Sequence, residues 1–276
     1  MSSGFNLAAY LERIGYEGNT RPTLQALKSI VLQHALVIPF ENLNPLLRLP
    51  VKLDVESLAA KMVEQKRGGY CFEQNLLLKY ALDEMGFATT GMSARALWQV
   101  PVQAITPRDH MVLLVEVEEE AYLVDVGFGG PTPTGVLRLA AHIIQNTPHE
   151  PFRLSTFADG YLVQAQIRDE WTTLYRFDMA EQFLPDYEIA SWYLCHFPGS
   201  IFIQQLFAAR AIEGGRFALR NNELAKHTLG EETVRRTITM AEELRSVLEE
   251  TFLISLPDSP ELMPLLDKIC RQEPPG

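Results

Sequence analysis

The chain reads as an α+β protein, because the spacing of its apolar side chains changes twice along 276 residues. Through residue 85 they recur at three- and four-residue steps, as in a helical bundle. From 86 to 190, short strand-like runs alternate with turn signals, the pattern of an antiparallel barrel or sheet. Beyond 191 the pattern is mixed. Residues 1–85, 86–190 and 191–276 are therefore the expected units.

The first unit opens with a helix carrying Leu24, Leu27, Ile30 and Val31, with Pro22 suited to its first turn after Thr20. The stretch I-P-F-E-N-L-N-P-L-L-R-L-P holds Pro39, Pro45 and Pro50, which break a helix, so it is expected as a loop or extended crossing. D-V-E-S-L-A-A-K-M-V-E-Q-K then reads as a capped helix ending before Gly68. C-F-E-Q-N-L-L-L-K-Y-A-L-D-E-M-G reads as a buried helix ending at Gly86.

Strands are expected at S-A-R-A-L-W-Q-V, H-M-V-L-L-V-E-V, A-Y-L-V-D-V-G-F, Y-L-V-Q-A-Q-I and W-T-T-L-Y-R-F. The turns between them are E-E-E, G-G-P-T-P-T and A-D-G. After 191 come an F-P-G turn, a hairpin at Glu213–Gly215 and a helix over Glu231–Phe252. P-D-S-P breaks that helix before a short final helix and a loose E-P-P-G tail.

A net charge of −11 and a pI near 5.1 argue against nucleic acid as partner. The start M-S-S-G-F-N-L lacks the basic region of a signal peptide, and no apolar run is long enough to span a membrane. Three widely spaced cysteines without a CxxC pair fit a reducing cytoplasm, and argue against a disulfide framework or a cysteine-rich metal site.

Cys71 follows Gly68, Gly69 and Tyr70 at a helix start, where the dipole and free N–H groups stabilise a thiolate and a developing oxyanion. The two glycines permit unusual backbone conformations and close approach of a ligand. Position alone leaves Cys71 open between a packed thiol and a nucleophile. A base and an orienting group are available in His110 and Asp125. Residues opposed across a hairpin with an even-numbered loop lie an odd number apart, and 125 minus 110 is 15. Direct opposition would centre the turn between Val117 and Glu118, so a bulge or one-step offset is expected. The order Cys71, His110, Asp125 supplies nucleophile, base and carboxylate. The rival Cys195–His196 pair, read on a strand, points to opposite faces, and Cys195 is read as packing. Cys270 lies near a terminus and has the weakest claim.

Several blocks carry a resemblance. They are H-A-L-V-I-P-F-E-N-L (34–43), R-G-G-Y-C-F-E-Q-N (67–75), A-R-A-L after Ser93, D-H-M-V-L-L-V (109–115), V-D-V-G-F-G (124–129) and S-W-Y-L-C-H-F-P-G-S-I-F (191–202). Through them the sequence resembles the arylamine N-acetyltransferases over nearly its whole length. The resemblance implies a helical bundle, an antiparallel β-barrel and a C-terminal α/β lid, with a papain-like Cys-His-Asp arrangement. It implies that Cys71 takes an acetyl group from acetyl-CoA, activated by His110 and Asp125, and passes it to an arylamine, arylhydrazine or hydrazide in a ping-pong cycle. No metal is implied. Family members of this size are often assigned to detoxification.

The resemblance also suggests Phe40 and Phe128 as flat walls for the acceptor, and Trp98 and Tyr193 are further candidates for substrate contact. Gly127, Phe128, Gly129 and Gly130 would pass the pantetheine arm, with the Thr106–Pro107 turn. Arg216 and Arg220 are candidates for the CoA phosphates. Ser191, Cys195, His196, Phe197 and Gly199 depart from the family pattern in its last block, which bears on acyl donor and acceptor range. Two other enzyme readings use the same three residues: amide release of a chain from a carrier protein, and a cysteine hydrolase. A binding module without catalysis would not require them. Homo-oligomerisation is left open.

Overall fold

The computed structural model describes residues 4–271, so the E-P-P-G tail lies outside the described residues. Helix α1 (Leu7–Ile14) is capped by Asn6 and stopped by Gly15 at φ 69°, while α2 (Leu24–Val37) is capped by Thr23, whose Oγ1 accepts from the Ala26 N–H. Pro22 therefore lies just outside α2 rather than in its first turn. The proline-rich crossing is extended only at β1 (Phe40–Glu41), then forms a single turn, α3 (Leu43–Leu46). Pro45 is tolerated there because the first N–H groups of a helix need no intrahelical partner. Helix α4 (Val55–Ala59), capped by Asp54, runs on as a wider π turn to Glu64.

Helix α5 (Cys71–Glu84) buries every side chain from Cys71 to Leu78, and Leu76, Leu77, Leu78, Ala81 and Leu82 fill the core of the first unit. Burial on all sides explains the absence of an amphipathic stripe in its sequence. Gly86, at φ 86°, follows its end.

The barrel strands are β2 (Ala88–Ala96), β3 (His110–Val117), β4 (Glu120–Val124), β5 (Leu137–Arg138), β6 (Ile144–Asn146), β7 (Pro151–Phe157), β8 (Gly160–Ile167) and β9 (Glu170–Glu181). They form one antiparallel sheet in the order β5-β4-β3-β2-β9-β8-β7-β6. Its two edges approach one another: the Gln145 amide on β6 bonds both backbone groups of Arg138 on β5, at 2.7 and 3.0 Å. The sheet is thus a nearly closed barrel. Trp98, Gln99 and Val100 lie beyond the end of β2.

Helix α6 (Leu184–His196) corrects one expectation: S-W-Y-L-C-H is helical rather than extended. Strands β10 (Phe207–Ile212), β11 (Gly215–Arg220), β12 (Glu223–Thr228) and β13 (Val234–Thr237) join β1 in a second antiparallel sheet. The expected hairpin at Glu213–Gly215 is the β10–β11 turn, Ile212 pairing with Gly215. The expected helix from Glu231 begins only at α7 (Ala241–Ser246), because Val234–Thr237 pairs with β12 instead. Helix α8 (Leu262–Cys270) closes the fold. Phe40 and Glu41 pair with Ala209 and Ala208, so the crossing near the N-terminus is stitched into the last third of the chain. Among the described residues no helix is long and apolar enough to cross a membrane.

A buried polar chain fixes the floor beneath α5. The Tyr10 hydroxyl meets His34 Nδ1 at 2.8 Å, His34 Nε2 meets Gln74 Oε1 at 2.6 Å, and Gln74 Nε2 donates to the carbonyls of Pro39 at 2.8 Å and Gly69 at 3.3 Å. His34 is fully enclosed. Burial pushes its pKa down to about 4, against the bond from Gln74 and helped by the charge of Arg13. The unfolded chain therefore binds this proton near pH 6.5 while the folded one refuses it until about pH 4. Stability contributed by the neutral ring is present above 6.5 and falls as the solution is acidified, by up to about 3 kcal/mol at pH 4. His34→Gln should flatten the decline in melting temperature between pH 6.5 and 4.5; an unchanged slope would locate the acid sensitivity elsewhere.

Candidate active site

The backbone before α5 is held by buried charge. Arg67 donates to Glu41 Oε1 at 2.7 and 3.0 Å, Lys61 bonds Glu73 at 2.7 Å, and Glu73 accepts the Tyr70 N–H at 3.1 Å. Against Glu41, burial opposes the charge, but Arg67 and Lys61 outweigh it and hold the carboxylate below its usual range. The glycines serve this packing. A Cβ on Gly68 would meet the Pro39 carbonyl oxygen at 2.1 Å, and one on Gly69 would meet the Glu73 side chain at 2.8 Å. They let two protein segments approach, where the sequence suggested approach of a ligand.

Cys71 is thereby placed at the first position of α5, 4% exposed, with Sγ 3.5 Å from the Asp109 carbonyl oxygen. His110, at the start of β3, bonds Asp125 Oδ2 through Nε2 at 2.7 Å, which leaves Nδ1 for proton transfer. The β3–β4 turn consists of Glu118 and Glu119, at φ 54° and 64°, with Val117 paired to Glu120. This two-residue turn needs left-handed backbone at both positions. It centres one position later than direct opposition requires. Asp125 lies just past the end of β4 and reaches back to the imidazole across that offset.

Asn75 makes the junction. One turn after Cys71, its amide donates to Asp125 Oδ1 at 3.0 Å and to the Met111 carbonyl at 2.8 Å, and its oxygen accepts the Val126 N–H at 3.1 Å. The Gly127 N–H adds a bond to Asp125 Oδ1 at 2.8 Å. Burial opposes the Asp125 charge, but His110 and these donors outweigh it and hold the carboxylate below its usual range. Asn75 lies within a quoted block, yet no local pattern indicated its partners.

Burial pushes the Cys71 thiol well up, reinforced by the charges of Asp109 and Asp125 and opposed by the N–H groups of Met111 and Phe72. A lone thiolate is thus disfavoured. The Tyr175 ring packs 4.9 Å from the imidazole, and Phe128 stands edge-on to it at 5.2 Å.

Cys71 and His110 open onto a cavity of about 1420 Å³, whose walls near the thiol include Phe40, Ala96, Trp98, Asp109 and Phe128. Gly127, Gly129 and Gly130 line it too, but differ in role. A Cβ on Gly127 would meet Cys71 Cα at 2.7 Å; Gly129 sits at φ 95°; Gly130 faces open space. Two expected contacts are not brought to the cavity. The Thr106 hydroxyl donates to the Ala96 carbonyl at 3.0 Å, tying down its loop. Tyr193 lies on the outer side of α6, stacked on Phe197 at 4.7 Å, because helical spacing turns it away from the inward Ser191, Leu194 and Cys195. Arg216 is buried, bonded to Glu150 and to the Gly130 carbonyl; Arg220 donates to Gln205 at 3.0 Å. Cys195 is buried beside the Tyr70 hydroxyl, which also meets Ser191. Asp109, missed in the sequence, is the carboxylate beside the thiol. Among the described residues no group of His, Cys, Asp and Glu could hold a metal ion.

A buried cysteine at a helix start and an imidazole face one cleft between a barrel and a second sheet, with a buried carboxylate bonded to that imidazole, an arrangement that suits acyl transfer through a cysteine. A family model described as N-acetyltransferase matches residues 23–260. The arylamine N-acetyltransferase of Mycobacterium tuberculosis is 41% identical over 276 residues, covering 98% of this chain and 97% of its own. The solved structure of Mycobacterium marinum arylamine N-acetyltransferase superposes with a TM-score of 0.93 at 39% identity, over 96% of this chain and all of that one. A second structure of that enzyme, in complex with CoA, gives 0.92 at 39% identity over 96% of this chain and 100% of that one. The chain belongs to the arylamine N-acetyltransferase family and is an acetyltransferase.

Two outcomes follow from this geometry. Asn75→Ala should cost about 1–3 kcal/mol of stability, the scale of leaving buried partners unsatisfied, and lower turnover while Cys71 still alkylates; unimpaired turnover would remove Asn75 from the positioning of Asp125. Asp109→Asn removes a negative charge beside the thiol, so the rise in Cys71 alkylation rate should shift to lower pH. A shift to higher pH would contradict the charge effect.

Proposed function

We propose that this enzyme transfers the acetyl group of acetyl-CoA to the nitrogen of arylamines, arylhydrazines or hydrazides through an acetyl-Cys71 thioester. The arrangement that carries the proposal is Cys71 at the α5 N-terminus opening, with the Asp125-bonded His110, onto one cleft. His110 accepts the Cys71 proton as sulfur attacks the acetyl carbonyl. The bond from carbonyl carbon to the CoA sulfur breaks, and His110 returns the proton to CoA. The acceptor nitrogen then attacks the thioester, the bond to Cys71 breaks, and the nitrogen's proton passes through His110 to the cysteine sulfur. The N–H groups at the start of α5 would hold the developing oxyanion. Asp125 keeps one imidazole tautomer and stabilises the imidazolium.

Phe40, Trp98 and Phe128 give the cleft the flat apolar walls that suit an aromatic acceptor. Three free cysteines, two of them buried, suit a reducing cytoplasm. Intact mass after mixing with acetyl-CoA and no amine should show one added acetyl group on the wild type and none on Cys71→Ala, and adding an arylamine should clear it. His110→Ala should slow the labelling by about 10²–10⁴-fold. An unlabelled wild type whose thiol alkylates readily would rule out acetyl-CoA as donor, and clearance by water alone would indicate a hydrolase.

A further inference from the structure

The cleft carries one charge that the acetyl-transfer cycle does not use. Asp109, immediately before β3, lines the cavity together with Cys71, Phe40, Trp98 and Phe128. Its backbone carbonyl oxygen is 3.5 Å from Cys71 Sγ, so the residue borders the sulfur that would carry the acetyl group. The side chain is half-buried, and its Oδ1 accepts a long bond, 3.4 Å, from the Ala96 N–H. Among the described residues this carboxylate forms no ion pair. Arg95, near the end of β2, directs its guanidinium to the Thr106 carbonyl instead. Burial pushes the Asp109 carboxyl up, against the Ala96 N–H and the charges of His110 and Arg95. A carboxylate drawn partly out of water without a counter-ion is stabilised by a cation that enters beside it.

We propose that Asp109 selects the acceptor by charge, favouring amines that carry a positive group beyond the reacting nitrogen and disfavouring those that carry a carboxylate. This selection acts on the acetyl-Cys71 intermediate and so rests on the cycle proposed above. To attack the thioester, an acceptor must bring its nitrogen to Cys71, and the rest of the molecule then lies along the wall that Asp109 shares. The aromatic rings of that wall act in the same direction, because ring faces attract cations. The arginines that line the cavity stand on other elements: Arg168 in the β8–β9 turn, Arg216 and Arg220 on β11, and Arg235 on β13. Within low-dielectric walls a single charge acts across several ångströms, so a positive substituent is drawn in and a negative one is repelled.

Three isosteric arylamines test this: para-(dimethylaminomethyl)aniline, para-isobutylaniline and para-aminophenylacetate, which are cationic, neutral and anionic at neutral pH. Wild type should show a kcat/KM for the cationic acceptor above that for the anionic one, and added salt should narrow the gap. Asp109→Asn should reduce this cation-to-anion ratio by about 10- to 100-fold, the scale of one unit charge at such range. The neutral isostere reports any general change in turnover, and Asp109→Glu, which keeps the charge, should preserve the ratio. Intact mass after mixing with acetyl-CoA alone is measured in parallel. A wild type that takes no acetyl group would refute the underlying cycle. A labelled wild type with no preference between the charged acceptors, or a ratio unchanged in Asp109→Asn, would overturn the charge selection alone. Slower acetyl labelling of Asp109→Asn with an unchanged ratio would assign the carboxylate to the donor and overturn it equally.

Discussion

The active site depends on one amide. Cys71 rides on a helix of the first unit, while His110 and Asp125 come from the barrel, and Asn75 joins the two by bonding Asp125, Met111 and Val126 at once. A buried amide with its donors and acceptor so engaged holds its neighbours in one arrangement, because each alternative leaves a polar atom unpaired in a low-dielectric interior. Gly127 permits the same junction sterically, since a side chain there would strike Cys71 Cα.

A second tie acts behind the nucleophile. Glu41, Arg67, Lys61 and Glu73 form a buried network linking the proline-rich crossing to the turn before α5. Burying these ions costs desolvation, and the network returns a defined geometry more than net stability. Because the same crossing supplies β1 to the second sheet, the network also sets how the last third of the chain sits over the cleft. The buried Arg216–Glu150 pair and its bond to the Gly130 carbonyl fasten that sheet to the glycine loop from the other side.

What was legible in the sequence was local. The α5 segment, the strand runs and the order Cys71, His110, Asp125 follow from spacing and composition within short windows. What was not legible was decided by distant partners. Residues 234–237 became a strand because β12 offers them a ladder. Gly68 and Gly127 looked like ligand-facing glycines, but segments far away in sequence fill the space beside them. S-W-Y-L-C-H looked extended because a helix apolar on both faces shows no helical stripe, and the helix turns Tyr193, a candidate for substrate contact, away from the cleft. Asn75 carries no local mark, its partners lying 36 to 51 residues away.

The electrostatics of Cys71 fit the proposed cycle in both directions. Burial and the charges of Asp109 and Asp125 favour the protonated thiol, so in the proposed cycle the nucleophilic sulfur would arise by passing its proton to His110. A thiolate of higher basicity is also the stronger nucleophile once formed, which favours attack on the CoA thioester. The same basicity makes it a poorer leaving group in the second half of the cycle, and there the imidazolium compensates by pairing with the departing sulfur. Asp125, held below its usual carboxylate range by His110, Gly127 and Asn75, would stabilise that imidazolium without itself taking the proton. The raised thiol and the lowered carboxylate are thus one device, and both depend on the amide that spans helix and barrel.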